Sequence, residues 1–298
     1  MQEITNSMKQ RFLKDFGLPL QIVQEPHFSY GLRTIDKEYN SLAKYELFLK
    51  TIEILGDQNI LDYVAELVQT IISDIKSKDA FKTFKADNLE KYNLANSKNK
   101  KGNLYIEDNI DVDFVSIDLI KANFNALREY DENILPQDYE EFISKYTELE
   151  YFKQSKYLRQ MIFGNLEPKK QQKIQRFIIS DIANKLNGMN IFTSSTDELV
   201  VRNSEELVVR KSDLEEVLQR LAGTYNFLRI ESFTLKNILN DYYVREYEDK
   251  VEFKQCSSIV FLQILKYYRG EPILEEDRKF YYERQIATFD QSIIEDMD

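Results

Sequence analysis

The chain has 298 residues, 43% of them hydrophobic, which is enough to bury a core in one large domain or two modest ones. Its formal net charge of -11 argues against a protein that coats nucleic acid with its whole surface, so contact with phosphates would need a local patch of cations. One cysteine, Cys256, and one histidine, His27, exclude an internal disulfide framework and metal sites built from several such residues. Catalysis would therefore rest on carboxylates and cations.

No apolar run approaches the length of a membrane span, and the first eight residues lack the basic and apolar segments of a secretory signal. Together with the low cysteine content, this favours a cytoplasmic location.

Apolar residues at helical spacing predict a helical N-terminal region over residues 1–95. The pattern indicates helices at residues 4–16, about 36–55 and about 58–76, and we assign their apolar stripes to the core. The polar segment 96–102 is the best candidate for a domain boundary.

The character of the chain then changes to mixed strands and helices, which predicts an α+β domain over residues 103–255. It would contain a basic helical insertion at about 136–186 and would be followed by a C-terminal helix and a mobile acidic tail over 256–298. Expected elements are strands at 104–106, 112–117, 226–234, 242–247 and 250–255, a hairpin over 198–210 with an Asn-Ser turn, and helices at 119–130, about 139–146, 212–222 (N-cap Ser212, stop Gly223) and 257–268.

Two short strands each end in an acidic residue. Phe114 to Ile117 lead into Asp118, and Ile191 and Phe192 approach Asp197 and Glu198. A β-α-β-β-α-β order would place the two central strands side by side, so these acids would meet although they are far apart in sequence. Such a pair would hold Mg²⁺ or Mn²⁺ for phosphoryl transfer. The alternative is ordinary local chemistry, with Asp118 capping a helix and Asp197 ending a turn.

Seven cations against one acid distinguish residues 153–176 from the rest of this acidic chain. One explanation is a solvated helix face, and the other is a surface that meets phosphates. The cations are Lys153, Lys156, Arg159, Lys169, Lys170, Lys173 and Arg176.

Three segments resemble motifs of the palm domain of template-directed nucleic-acid polymerases. Phe114–Phe124 (FVSIDLIKANF) resembles motif A, particularly in its reverse-transcriptase form. Ser195–Val201 (STDELVV) resembles motif C of family A DNA polymerases, with Thr196 in place of a histidine. Lys156–Gly164 (KYLRQMIFG) is similar to the fingers helix of family A enzymes.

The resemblance implies a palm-like split β-α-β antiparallel sheet with a fingers-like insertion, and a compact nucleotidyltransferase that adds a nucleotide to a primer 3′-hydroxyl. Its partners would be nucleic acid and a nucleoside triphosphate. Two alternatives are a catalytically inactive palm-derived module that binds nucleic acid or a protein, and a helical scaffold in which the likeness is chance. The implied site residues are Asp118 and Asp197 as metal ligands, Glu198 as an auxiliary carboxylate, Lys156, Arg159, Lys169, Lys170 and Arg176 as phosphate contacts, and Phe163 as a base-stacking residue.

Overall fold

A computed structural model describes residues 4–56, 58–94, 102–186, 190–202 and 211–293 of the chain. Its α-helices are α1 (Asn6–Phe16), α2 (His27–Tyr39), α3 (Ser41–Leu55), α4 (Ile60–Ser77), α5 (Asp79–Ala86), α6 (Ala122–Tyr130), α7 (Tyr139–Ser144), α8 (Glu150–Gln154), α9 (Lys156–Gly164), α10 (Pro168–Lys185), α11 (Lys211–Thr224) and α12 (Phe261–Tyr268). Its strands are β1 (Asp113–Leu119), β2 (Ile191–Ser194), β3 (Glu198–Arg202), β4 (Leu228–Leu239), β5 (Tyr242–Glu246), β6 (Val251–Lys254), β7 (Lys279–Tyr282) and β8 (Gln285–Thr288).

The helical N-terminal region is confirmed, with one correction. The predicted helix over 36–55 belongs to two helices, because the chain turns at Asn40, where φ is 48°. Asparagine tolerates this left-handed conformation better than most residues, so it ends α2 and starts α3. The apolar spacing runs through the break and therefore did not reveal it.

Three expectations for the rest of the chain are also corrected. Residues 104–106 are not a strand; they lead into a 3-10 turn at Glu107–Asn109, where the Asn109 amide donates to two backbone carbonyls. Gly223 does not stop α11, which continues to Thr224. The C-terminal segment forms the β7–β8 hairpin, and the turn of the predicted 198–210 hairpin lies outside the described residues.

A six-stranded antiparallel sheet forms the centre of the second half, in the order β2-β3-β1-β4-β5-β6. Its first four strands follow the predicted β-α-β-β-α-β order, with α6 to α10 between β1 and β2, and α11 between β3 and β4. The α+β class with an antiparallel sheet is confirmed. As expected, β1 lies between β3 and β4, at the middle of these four strands.

The two faces of the sheet have different environments because side chains alternate along a strand. Val115, Ile117 and Leu119 enter a large core that is continuous with the N-terminal helices. Phe114 faces the other way, into a smaller cluster with Phe233. Asp118 follows on that second face, beyond the end of the smaller cluster, so its carboxylate is left outside the core.

Among the described residues, no helix is long and apolar enough to cross a lipid bilayer.

Candidate active site

Asp118 and Asp197 meet where β1 ends beside the β2–β3 hairpin. Asp118 stands opposite Glu198 in the register of β1 and β3, and the amide of Leu119 donates to the Asp197 carbonyl at 2.9 Å. A tight turn presents Asp197, because the Ser195 amide donates to the Glu198 carbonyl at 2.7 Å and the Glu198 amide donates to Ser195 Oγ at 3.0 Å. The hairpin therefore delivers an exposed carboxylate next to the one that β1 carries.

An open pocket of about 650 Å³ lies over these two carboxylates. Four of the residues predicted from sequence line it together: Asp118, Asp197, Lys156 and Arg159. They come from β1, the β2–β3 turn and α9, so the fold assembles them from three separate segments. The remaining lining residues are Leu119, Ile120, Lys121, Ala122, Asn123, Gln160, Arg229, Glu252 and Lys254.

Three cations of the pocket carry no opposing carboxylate. Among the described residues, no acid lies within ion-pair distance of Lys121, Lys156 or Arg159. The Tyr139 ring supports two of them, with the Arg159 guanidinium 5.3 Å and the Lys121 Nζ 5.1 Å from its centroid. Cations held against an aromatic ring keep their charge available, so this side of the pocket suits an anionic ligand.

The carboxylate of Asp118 is paired with Arg229 of β4 at 2.8 Å. Burial raises the pKa of Asp118; the guanidinium of Arg229 opposes this, and the neighbouring charges of Glu198 and Asp197 reinforce it. The net pKa shift is upward. Burial and the neighbouring acids thus disfavour the ionised form of Asp118, and a cation bound beside it would stabilise that form.

Glu198 has a different environment from the one that the resemblance implies. Its carboxylate accepts from Arg245 of β5 at 2.5 Å and from Ser116 Oγ at 2.7 Å. Burial acts to raise its pKa, but the hydrogen bonds and charge of Arg245 lower it overall. Arg245 is itself buried, with its guanidinium 4.7 Å from the Phe233 ring centroid. Glu198 thus neutralises a buried cation, and it is not among the residues that line the pocket.

Phe163 is not brought to the pocket either. It is fully buried, and its ring packs 5.8 Å from Phe124 and 6.2 Å from Phe142 between centroids. No face of the ring is open to a nucleotide base. Phe163 lies on the side of α9 that packs into the core, and Lys156 and Arg159 lie on the side that faces the pocket.

The basic residues of α10 also lie away from the two carboxylates. The ammonium of Lys170 donates to the carbonyls of Phe84, Lys85 and Asp87, where α5 ends. Such a contact satisfies carbonyls that a helix end leaves without partners. Lys169 and Arg176 line a separate surface groove.

Asp15 is a site-supporting residue that the sequence prediction missed. It is fully buried in α1, where its carboxylate accepts from Arg11, from the Tyr151 hydroxyl at 2.6 Å and from Ser155 Oγ at 2.5 Å. Ser155 caps α9 by accepting from the Leu158 amide at 2.9 Å. The buried acid therefore fixes the start of the helix that carries Lys156. A signal was present: Asp15 falls on the apolar stripe of α1.

Asp118 and Asp197 are the two predicted metal ligands that line the pocket. In the described part of the chain, no group of three histidine, cysteine or acidic residues is placed to hold a metal ion. Mg²⁺, however, is commonly held by one or two carboxylates together with substrate phosphates. Asp118 and Asp197 supply that number, provided that Arg229 releases Asp118.

Comparison of the chain with protein-family models, with curated proteins and with solved structures finds no match.

Proposed function

We propose that this chain is a compact palm-type nucleotidyltransferase, which transfers a nucleotide from a nucleoside triphosphate to the 3′-hydroxyl of a nucleic acid. The observation that carries the proposal is the convergence of Asp118, Asp197, Lys156 and Arg159 on one pocket. These residues belong to three short motifs, and the β-α-β-β-α-β order of the sheet supports the same assignment. Convergence of three separate motifs by chance would be unexpected.

The residues of the pocket divide into two roles. Lys121, Lys156 and Arg159 would bind the triphosphate, because together they offer three cations without carboxylate partners to a ligand of about four negative charges. Asp118 and Asp197 would hold Mg²⁺, which supplies charge neutralisation and activation of the hydroxyl when it is bound. Ala122 and Asn123, at the start of α6, also line the pocket.

The test is Mg²⁺-dependent incorporation of labelled nucleotide on a set of DNA and RNA primer-templates. We expect the parent to incorporate nucleotide, and Asp118→Asn or Asp197→Asn to reduce the rate by at least about 100-fold. Lys156→Gln combined with Arg159→Gln should raise the KM for nucleotide. Lys50→Gln combined with Lys145→Gln is the control for loss of two charges, since both lysines are exposed. No incorporation by the parent on any template, with Mg²⁺ or Mn²⁺, would exclude the activity.

A second candidate is a non-catalytic palm-derived module that binds nucleic acid or a protein. The ion pair between Asp118 and Arg229 favours it, because a guanidinium already neutralises the carboxylate that a metal would need. This function predicts ligand binding without turnover in the parent, and undiminished binding in the Asp118→Ala, Asp197→Ala double variant. Loss of binding in that variant would exclude it.

A further inference from the structure

A second cationic surface lies on α10, apart from the pocket of Asp118 and Asp197. Lys169, Lys173 and Arg176 recur at i, i+4 and i+7 and therefore form one stripe along the helix, which we call the α10 stripe. These three side chains line a surface groove together with Tyr92, Asn93 and Leu94. Lys169 and Arg176 are exposed, and Lys173 is half-buried.

Several exposed cations on other helices pair with an acid one turn away, as Lys50 does with Glu46 and Arg220 with Glu216. In the last turn of α10, Lys185 pairs with Asp181 in the same way at 2.7 Å. Among the described residues, none of the three stripe cations has a carboxylate within ion-pair distance. These three unpaired cations form a positively charged surface on a protein whose net charge is -11.

The stripe is also held rigidly on its helix. Between its cations, Gln171 is buried and donates to the Phe163 carbonyl at 2.9 Å, and Lys170 is fixed on the carbonyls that end α5. Gln175 donates to the Asn123 side chain at 2.7 Å, and Asn123 lines the pocket. The position of the stripe relative to the pocket is therefore fixed through α6 and α10.

We propose that the α10 stripe binds the sugar-phosphate backbone of a nucleic-acid strand. Its first and last cations lie seven positions apart on the helix, or about 10 Å, which is enough to contact two or three successive phosphates. Its ligand is identified as nucleic acid, rather than another polyanion, because the pocket to which α10 is linked through Gln175 and Asn123 is proposed to act on a nucleic-acid end; in that respect the inference rests on the proposed function. Because contacts to phosphates carry no sequence information, we expect binding to be independent of sequence.

The experiment is fluorescence anisotropy with a labelled 20-nucleotide oligothymidylate, titrated at several KCl concentrations between 50 and 200 mM. The test variant combines Lys169→Gln, Lys173→Gln and Arg176→Gln. The matched control combines Lys50→Gln, Lys145→Gln and Arg220→Gln, which removes the same residue types from exposed positions. Circular dichroism verifies that both variants are folded.

Loss of three phosphate contacts should reduce the slope of log K against log salt by about 2, which corresponds to about 100-fold weaker binding at 0.1 M KCl. The control should bind as the parent does. Equal affinities for test variant and control would overturn the proposal. Equal binding of polyglutamate by the parent, lost in the same variant, would overturn the assignment to nucleic acid in favour of an acidic protein.

The outcome is separable from that of the proposed function. The stripe variant reports on oligonucleotide binding separately from catalysis, because none of its three residues lines the pocket of Asp118 and Asp197. Binding that depends on the stripe in a protein without nucleotide incorporation would support the stripe and exclude the transferase. Nucleotide incorporation by a protein whose oligonucleotide binding does not depend on the stripe would support the transferase and exclude the stripe.

Discussion

Substitution of the buried Asp15 should strongly lower the free energy of unfolding, although Asp15 does not line the pocket. The Asp15 carboxylate is 0% exposed, and its ion-pair partner Arg11 is 9% exposed. Asp15→Ala would leave the Arg11 guanidinium without its counter-charge in the interior, and it would also remove the acceptor of the Tyr151 and Ser155 hydroxyls. Breaking a buried ion pair in this way costs about 3–5 kcal/mol. That is a large part of the roughly 5–15 kcal/mol that stabilises an ordinary domain.

Urea unfolding followed by circular dichroism measures this loss. The midpoint should fall while the dependence of the free energy of unfolding on urea stays unchanged. The Asp15→Leu, Arg11→Met double variant should lose less than the sum of the single changes, because it leaves no unpaired charge. Glu46→Gln, which removes an exposed pair with Lys50, should not change the midpoint measurably. A loss below about 1 kcal/mol for Asp15→Ala would refute the reasoning.

Three further predictions concern residues around the pocket. Glu198→Gln should cost about 2 kcal/mol at pH 7, less than Asp15 because Glu198 is 27% exposed. The fold lowers the pKa of Glu198, so the stability that its carboxylate contributes is present above the pKa of the unfolded chain and is lost as the pH falls through the pKa of the folded protein. In urea unfolding, the difference in stability between variant and parent should therefore be smaller below pH 4 than at pH 7. Phe163→Ala should lower the free energy of unfolding by about 3–5 kcal/mol, because it leaves a cavity in the core. The folded variant should still bind nucleotide with the parent's affinity. Weaker nucleotide binding in a titration would show that Phe163 belongs to the site. Arg229→Gln should increase the affinity for Mn²⁺, measured by electron paramagnetic resonance, because it frees the Asp118 carboxylate. The control is Lys254→Gln, which removes the same charge from the pocket without freeing Asp118, and it should have a smaller effect. Equal effects would show that only the loss of a positive charge from the pocket matters.

The sequence predicted those parts of the site that depend on local pattern and element order. The helix over Lys156–Gly164 was identified from its motif, and the structure has α9 with the same bounds. The β-α-β-β-α-β order allowed Asp118 and Asp197 to become neighbours, and the structure places β1 beside β3. Both predictions use information that lies within a short segment or in the succession of elements.

Contacts across distant segments could not be predicted in this way. Arg245 lies 47 residues from Glu198, and its choice of partner depends on strand register and on which face of the sheet each side chain occupies. The same holds for Arg229, which no motif distinguishes from other surface arginines. Phe163 was assigned to the site because the motif names residues without saying which side of α9 faces the core. The helix break at Asn40 was hidden because the apolar spacing continues through it.

The most direct test of the proposed site is the anomalous X-ray scattering of Mn²⁺ in crystals grown with a non-hydrolysable nucleoside triphosphate. We predict a peak about 2.0–2.2 Å from carboxylate oxygens of both Asp118 and Asp197, with the triphosphate extending towards Lys156 and Arg159. The guanidinium of Arg229 should have left Asp118. A bound nucleotide whose metal contacts neither carboxylate, or Mn²⁺ sites confined to other surfaces, would contradict a palm-type active site in this pocket.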